Sequence, residues 1–193
     1  SLYKTYGPHL ALLYGKKELL DQTKNLNHEF LASEIPYTMN PGGPNHEELA
    51  CLSGVTDYYE TLYSHHFTEQ KLNLHEKGKK VFELIYNHEE VLIKTLIEFL
   101  KLKKNVRLIG KTAHSRSERM PTVSFTVKDK SSLEIAKAAG KNQIGIRNGE
   151  FYAWRCLKGL GIEPNDGVVR VSMVHYNNIE EVNRLIDFLD TIL

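Results

Sequence analysis

Apolar positions along the chain recur with a period near 3.6 in some stretches and near 2 in others, and the switches outline its elements. Residues 10–15, LALLYG, form a short apolar run closed by glycine, which predicts a buried strand. Residues 16–20 follow as about one helical turn. Residues 40–45, Asn-Pro-Gly-Gly-Pro-Asn, are a dense turn signal that excludes helix interior. Asn45 then predicts an N-cap, with Glu47 and Glu48 complementing the helix dipole. Leu49, Leu52, Val55, Tyr58, Tyr59 and Leu62 line one face of the helix that begins at His46. Residues 69–102 stay helical in pattern, through Val81, Leu84, Ile85, Val91, Leu92, Thr95, Leu96, Phe99 and Leu100, and residues 101–104 bring positive charge to the C-terminal end.

Beyond that helix the pattern alternates. Residues 106–110 predict a strand and residues 111–120 a loop. In residues 121–127 Val123, Phe125 and Val127 give the cleanest period of 2 in the chain. Residues 131–139 predict a helix stopped by Gly140, residues 144–146 a strand, 151–160 a helix and 168–174 another strand. Residues 179–193 close as an amphipathic helix with Val182, Leu185, Ile186, Leu189 and Ile192 inward. Four strands with helices between them predict a small α+β sandwich of about 90 residues. The long helical stretch marks a division into residues 1–85 and residues 86–193.

Composition narrows the classes. Hydrophobic residues are 41% and charged residues 25%, which excludes disordered and collagen-like chains. Lys+Arg 25 against Asp+Glu 24 leaves a net charge of +1, with no surplus to recruit nucleic acid or an anionic membrane. No apolar run reaches the roughly 20 residues of a membrane span. Cys51 and Cys156 are too few for a disulfide scaffold and suit a reducing compartment, so a cytoplasmic location is expected. The opening, SLYKTYGPHL, lacks both an initiator Met and a charged-then-apolar signal pattern.

Taken singly, most polar residues read as ordinary surface. His65, His66 and His75 match no metal-ligand spacing, so they read as solvated helix histidines. Cys156 reads as a small buried packer, residues 114–119 as a solvated basic connection, and Lys4 as a surface lysine. Arg170 is less easily dismissed, because it interrupts the apolar strand VVRVSMV. A charge there is costly unless it faces solvent, which alternation permits, or is paired with an anion.

Together these residues resemble a known family. The stretch RVSMVHYNNIEEV (residues 170–182) closely resembles the C-terminal signature of class V aminotransferases and cysteine desulfurases, which depend on pyridoxal 5'-phosphate. Residues 1–9, SLYKTYGPH, resemble that family's cofactor-lysine segment. Residues 43–47, GPNHE, resemble its Gly-Thr-Pro-Asn turn, and residues 144–149, IGIRNG, its Ile-x-Val-Arg-x-Gly strand. The four segments fall in the family's order and cover nearly the whole chain. Residues 149–153, GEFYA, resemble the desulfurase-like branch, with Tyr152 where a desulfurase has its nucleophilic cysteine and Cys156 one helical turn beyond.

The resemblance implies an α/β fold type I chain. It would comprise the end of the large domain (residues 1–85) and a small α+β domain (residues 86–193), with roughly 200 more residues upstream. It implies that Lys4 is the Schiff-base lysine and later the general acid/base, since a neutral amine can attack the cofactor aldehyde and then move the α-proton. Ser1 and Tyr3 would bond the cofactor phosphate, Tyr3 replacing the more usual His. Gly43 stands for a Thr that reaches the phosphate across a homodimer interface, leaving backbone N–H groups to do so. Arg170 would clamp the α-carboxylate of an amino-acid substrate through two parallel N–H donors. The implied activity is that of a lyase or aminotransferase in full-length form, with the 193 residues alone inactive. The alternative is a truncated, inactive family member serving as an interaction or structural module.

Overall fold

Side-chain caps set where the helices begin. Asn45 Oδ1 accepts from the Glu48 N–H at 2.9 Å and opens α2 (His46–Ala50). Asn73 and Glu76 exchange two bonds of 3.0 Å, side chain to backbone in each direction, and start α4 (Leu74–Leu102). Ser131 caps α5 (Ser132–Lys141), and Asn178 with Glu181 forms a second reciprocal box before α7 (Ile179–Ile192). The remaining helices are α1 (Lys17–Gln22), α3 (Leu52–His66) and α6 (Trp154–Gly159), and the strands are β1 (Val106–Ile109), β2 (Thr122–Val127), β3 (Arg147–Gly149) and β4 (Val168–Ser172). The computed structural model describes residues 1–193 other than Ser33, Ile35, Pro36, Pro41 and Gln70. The chain divides into two compact units, Ser1–Val81 and Phe82–Leu193.

The first unit is short helices joined by turns. Among its described residues Tyr63 and Val81 are the buried apolar side chains. Tyr63 donates its hydroxyl to the Glu69 carbonyl at 2.7 Å, stacks on Phe67, and lies under the Lys77 ammonium. The strand expected at residues 10–15 is absent: these residues are irregular, and Leu12, Leu13 and Tyr14 are 64%, 78% and 85% exposed. An apolar run becomes a strand only when a neighbouring strand satisfies its backbone, and no described segment of this unit is a strand. The helix expected from His46 onward is interrupted at Cys51, whose ψ of −8° tightens one turn between α2 and α3.

The second unit is built on a four-stranded antiparallel sheet in the order β1-β2-β4-β3. Val123, Phe125 and Val127 of β2 and Val169 and Val171 of β4 point to one face. There they form a core with Leu92, Leu96 and Leu100 of α4, Ile135 of α5, and Val182, Leu185 and Leu189 of α7. Each such burial is worth about 1.5–3 kcal/mol. The opposite face carries a smaller cluster, Leu157, Ile162 and Val168, flanked by Ile109 and Phe151.

Three expectations for this unit shift. Gly140 does not stop α5, which runs on to Lys141; the chain turns instead at Gln143, with φ 57°. Residues 144–146 are not a strand. Ile144 and Ile146 pack against the core, so their apolar character marks burial, while pairing with β4 begins only at Arg147. The helix expected from residue 151 starts at Trp154, because Phe151 and Tyr152 both have positive φ, 50° and 61°, which a right-handed helix cannot hold.

Candidate functional site

Alternation along β4 sends Val169 and Val171 into the main core and puts Arg170 on the other face. The register places Arg170 directly between Ser124 of β2 and Arg147 of β3. Arg170 is half-buried, and its guanidinium carbon lies 3.8 Å from the ring centroid of Phe151. Among the described residues neither Arg170 nor Arg147 has a hydrogen-bond or ion-pair partner for its side chain. Like charges directly opposite on two strands destabilise by a few tenths of a kcal/mol to about 1 kcal/mol, and an anion held between them reverses the sign. Arg147 lies within the IGIRNG segment, and it is the strand register that brings it beside Arg170.

The loop after β3 is backbone-strained. Gly149 has φ 135°, and Phe151 and Tyr152 follow in the left-handed region. Gly149 is pressed against Gly167, where an added Cβ would lie 2.2 Å from the Gly149 carbonyl carbon and oxygen. A turn bond from the Ala153 N–H to the Glu150 carbonyl, 2.8 Å, leads into α6. Tyr152 is fully exposed. Cys156 is exposed as well, contrary to the expectation of a buried packer: on this short helix Leu157 takes the inward position.

Asp166 pins the base of the same region. Its carboxylate accepts from Ser131 Oγ at 2.6 Å, Ser132 N–H at 2.8 Å and Leu133 N–H at 3.3 Å. Burial pushes its pKa upward, but these hydrogen bonds together outweigh it and hold the carboxyl below its ordinary value.

Ser1, Tyr3 and Lys4 share one turn of the first unit, where the Thr5 and Gly7 N–H groups both donate to the Leu2 carbonyl at 2.8 Å. A Cβ at Gly7 would meet Leu2 Cβ at 2.8 Å, so glycine is required for this closure. Lys4 is exposed, with Nζ 5.7 Å from the Tyr3 ring centroid, and Tyr3 stacks on His9 at 4.8 Å. Among the described residues no carboxylate engages Lys4. One turn thus carries a primary amine without a carboxylate partner and two hydroxyl side chains, a donor set compatible with an aldehyde-bearing phosphate ester. Gly43 lies in a separate exposed turn of the same unit, where an added Cβ would meet open space, and Arg170 belongs to the other unit.

Residues 111–120 do more than connect. Arg119 donates to the carbonyls of Lys111 and of Thr122, the latter at 2.8 Å, and Arg116 pairs with Glu83. With Tyr86, Glu89 and Met120 they line a cleft of about 320 Å³. Glu89 is buried, and desolvation pushes its carboxyl upward against the opposing pull of His88. His88 Nε2 lies 2.7 Å from the Asn177 carbonyl oxygen, and burial together with His88 pushes His175 downward.

Known proteins similar to this chain in sequence and in fold are consistent in kind. The chain is 35% identical over 194 residues to an aminotransferase-like protein, FGM3, of Gibberella zeae, matching 100% of this chain and 45% of that protein. It is 30% identical over 201 residues to the cysteine desulfurase-like protein ustD of Aspergillus flavus, matching 100% of this chain and 41% of that one. Among solved structures, the cysteine desulfurase CsdA of Escherichia coli superimposes with a TM-score of 0.73 at 19% identity, over 99% of this chain and 44% of that chain. The fold is thus that of part of a fold type I enzyme, and the chain spans less than half the length of these relatives. The family model for class-V aminotransferases matches residues 1–185, and the chain therefore belongs to the aminotransferase class-V family.

Proposed function

We propose that this chain is the part of a pyridoxal 5'-phosphate enzyme that carries the cofactor lysine, Lys4, and the substrate carboxylate clamp, Arg170, and that the whole protein acts on an amino acid as a lyase or aminotransferase. The observation that carries the reading is Arg170. Its half-buried guanidinium sits opposite a second arginine, with no anion of its own among the described residues. A bound α-carboxylate supplies the missing charge, and the guanidinium fork fixes its orientation.

The cofactor, when bound, supplies the electron sink for bond cleavage at Cα. Lys4 Nζ holds the cofactor and moves the proton at Cα. The hydroxyls of Ser1 and Tyr3, with the backbone at Gly43, receive the phosphate. Tyr152, standing where a desulfurase has its thiol, favours chemistry other than persulfide formation, and Cys156 lies one helical turn beyond that position. The exposed Leu12, Leu13 and Tyr14 support the reading that further chain covers the first unit in the working protein. In this reading that protein is a cytoplasmic homodimer and the 193 residues alone are inactive.

Borohydride reduction of the full-length protein mixed with pyridoxal phosphate, followed by peptide mass spectrometry, tests the assignment. A phosphopyridoxyl mass on Lys4, lost in Lys4→Ala, is expected. A label confined to other lysines overturns it.

A further inference from the structure

A carboxylate clamp needs its guanidinium plane fixed, and Arg170 is poorly equipped to fix its own. The side chain has four rotatable bonds, Ser124 across the ladder makes no hydrogen bond to it, and Arg147 on the other side repels it. What meets the charged end is the face of Phe151, 3.8 Å away. That ring is anchored in its turn. It packs on the cluster of Leu157, Ile162 and Val168, and its backbone is held left-handed by a loop that the Gly149–Gly167 contact pins in place. A bulky aromatic rarely adopts that conformation, and two in succession, Phe151 and Tyr152, are rarer still. The paired left-handed turn lays one ring over Arg170 and leaves the next in solvent.

We propose that Phe151 is the positioning residue for Arg170, its ring fixing the guanidinium plane so that two parallel N–H donors face the carboxylate of an amino acid. The inference rests on the reading of Arg170 as the carboxylate clamp. Phe151 touches neither substrate nor cofactor in this role; it acts through Arg170 alone. A ring–guanidinium stack keeps both donor edges free, which a carboxylate partner would not.

The test uses the full-length, cofactor-loaded protein and two probes, L-alanine and L-alaninamide, which differ at the carboxylate; binding is read from the absorbance of the bound cofactor. Wild type is expected to bind alanine at least about tenfold more tightly than the amide. Phe151→Leu, which keeps the apolar anchor and removes the ring, is expected to shrink that ratio about fivefold, with cofactor occupancy unchanged. Phe151→Tyr is expected to restore it to within about twofold. If Arg170→Met abolishes the discrimination while Phe151→Leu keeps it whole, the positioning role is wrong and the clamp stands. If Arg170→Met also keeps it, the clamp reading falls and the positioning role with it. A second measurement needs no Phe151 variant to fold. In arginine-labelled wild type, the Arg170 Nε–H resonance, assigned by its loss in Arg170→Lys, is expected well upfield from the ring current of Phe151. An unshifted resonance overturns the stack.

Discussion

The two units reach order by different means. Phe82–Leu193 buries one face of a sheet under three helices, and twenty of its apolar side chains are buried. Ser1–Val81 buries two apolar side chains among its described residues and leaves Leu12, Leu13, Tyr14, Leu19, Leu26 and Phe30 more than half exposed. The first is specified by packing, the second by turns, caps and stacked rings. The proposed chemistry is split the same way: Lys4 stands on the turn-built unit and Arg170 on the core-built one. Side chains on a packed sheet are held closely, whereas side chains on an exposed turn take their final setting from whatever covers them.

The widest gap between the units lies in their response to truncation. Phe125→Ala, in the middle of the sheet core, is expected to cost about 3–5 kcal/mol in denaturant unfolding of the 193-residue chain. A loss under about 1 kcal/mol would mean that the second unit is not core-specified. Next in size, Arg170→Lys in the full-length protein is expected to weaken amino-acid binding about 10–100-fold, since an ammonium cannot offer the bidentate fork, while cofactor uptake holds. Equal losses in both would place Arg170 in the scaffold instead.

Asp166→Asn is expected to cost about 1 kcal/mol by weakening the cap of α5. Because the folded state lowers this carboxyl's pKa, its contribution is full above the ordinary carboxylate value and is lost as pH falls through the depressed one, below about 4. An acid unfolding profile identical in Asp166→Asn would break that link. His175 gives a shallower slope at higher pH. Held neutral by burial and by His88, it favours folding above its ordinary value, and that benefit is lost as pH falls below about 6.5. Thermal melts between pH 7 and pH 5 should show a decline that His175→Gln flattens. Smallest of all, Leu13→Ser is expected to change the stability of this chain by less than about 0.5 kcal/mol. A large loss would show that Leu13 is buried in solution and that the contrast between the units is false.

What the sequence disclosed follows the same line. Elements whose apolar periodicity faces the core of their own unit, β2, β4 and α7, lie within a few residues of where the pattern puts them. The run at residues 10–15 has the right composition for a strand, but none of the described residues of its own unit forms a strand to pair with it, and pairing is a property of two segments. Residues 144–146 failed for a related reason, since burial and ladder bonding part company just before Arg147. At the site, Arg170 stood out as a charge in an apolar strand. Arg147 and Phe151 did not, because their places beside Arg170 come from cross-strand register and from a left-handed turn, neither of which leaves a periodic trace.

Gly167 reaches further than its size. It is buried, has φ 68°, and meets the Gly149 backbone where any side chain would collide with it. In terms of mutational tolerance, position 167 is closed to every other residue, although it offers no functional group to substrate or cofactor. Fully exposed Tyr152, at the tip of the same loop, has open space around it, and its φ of 61° limits replacement mainly against β-branched residues. A single methyl group added at Gly167 should therefore displace Gly149 and, through the loop that follows it, the Phe151 ring from its place against Arg170.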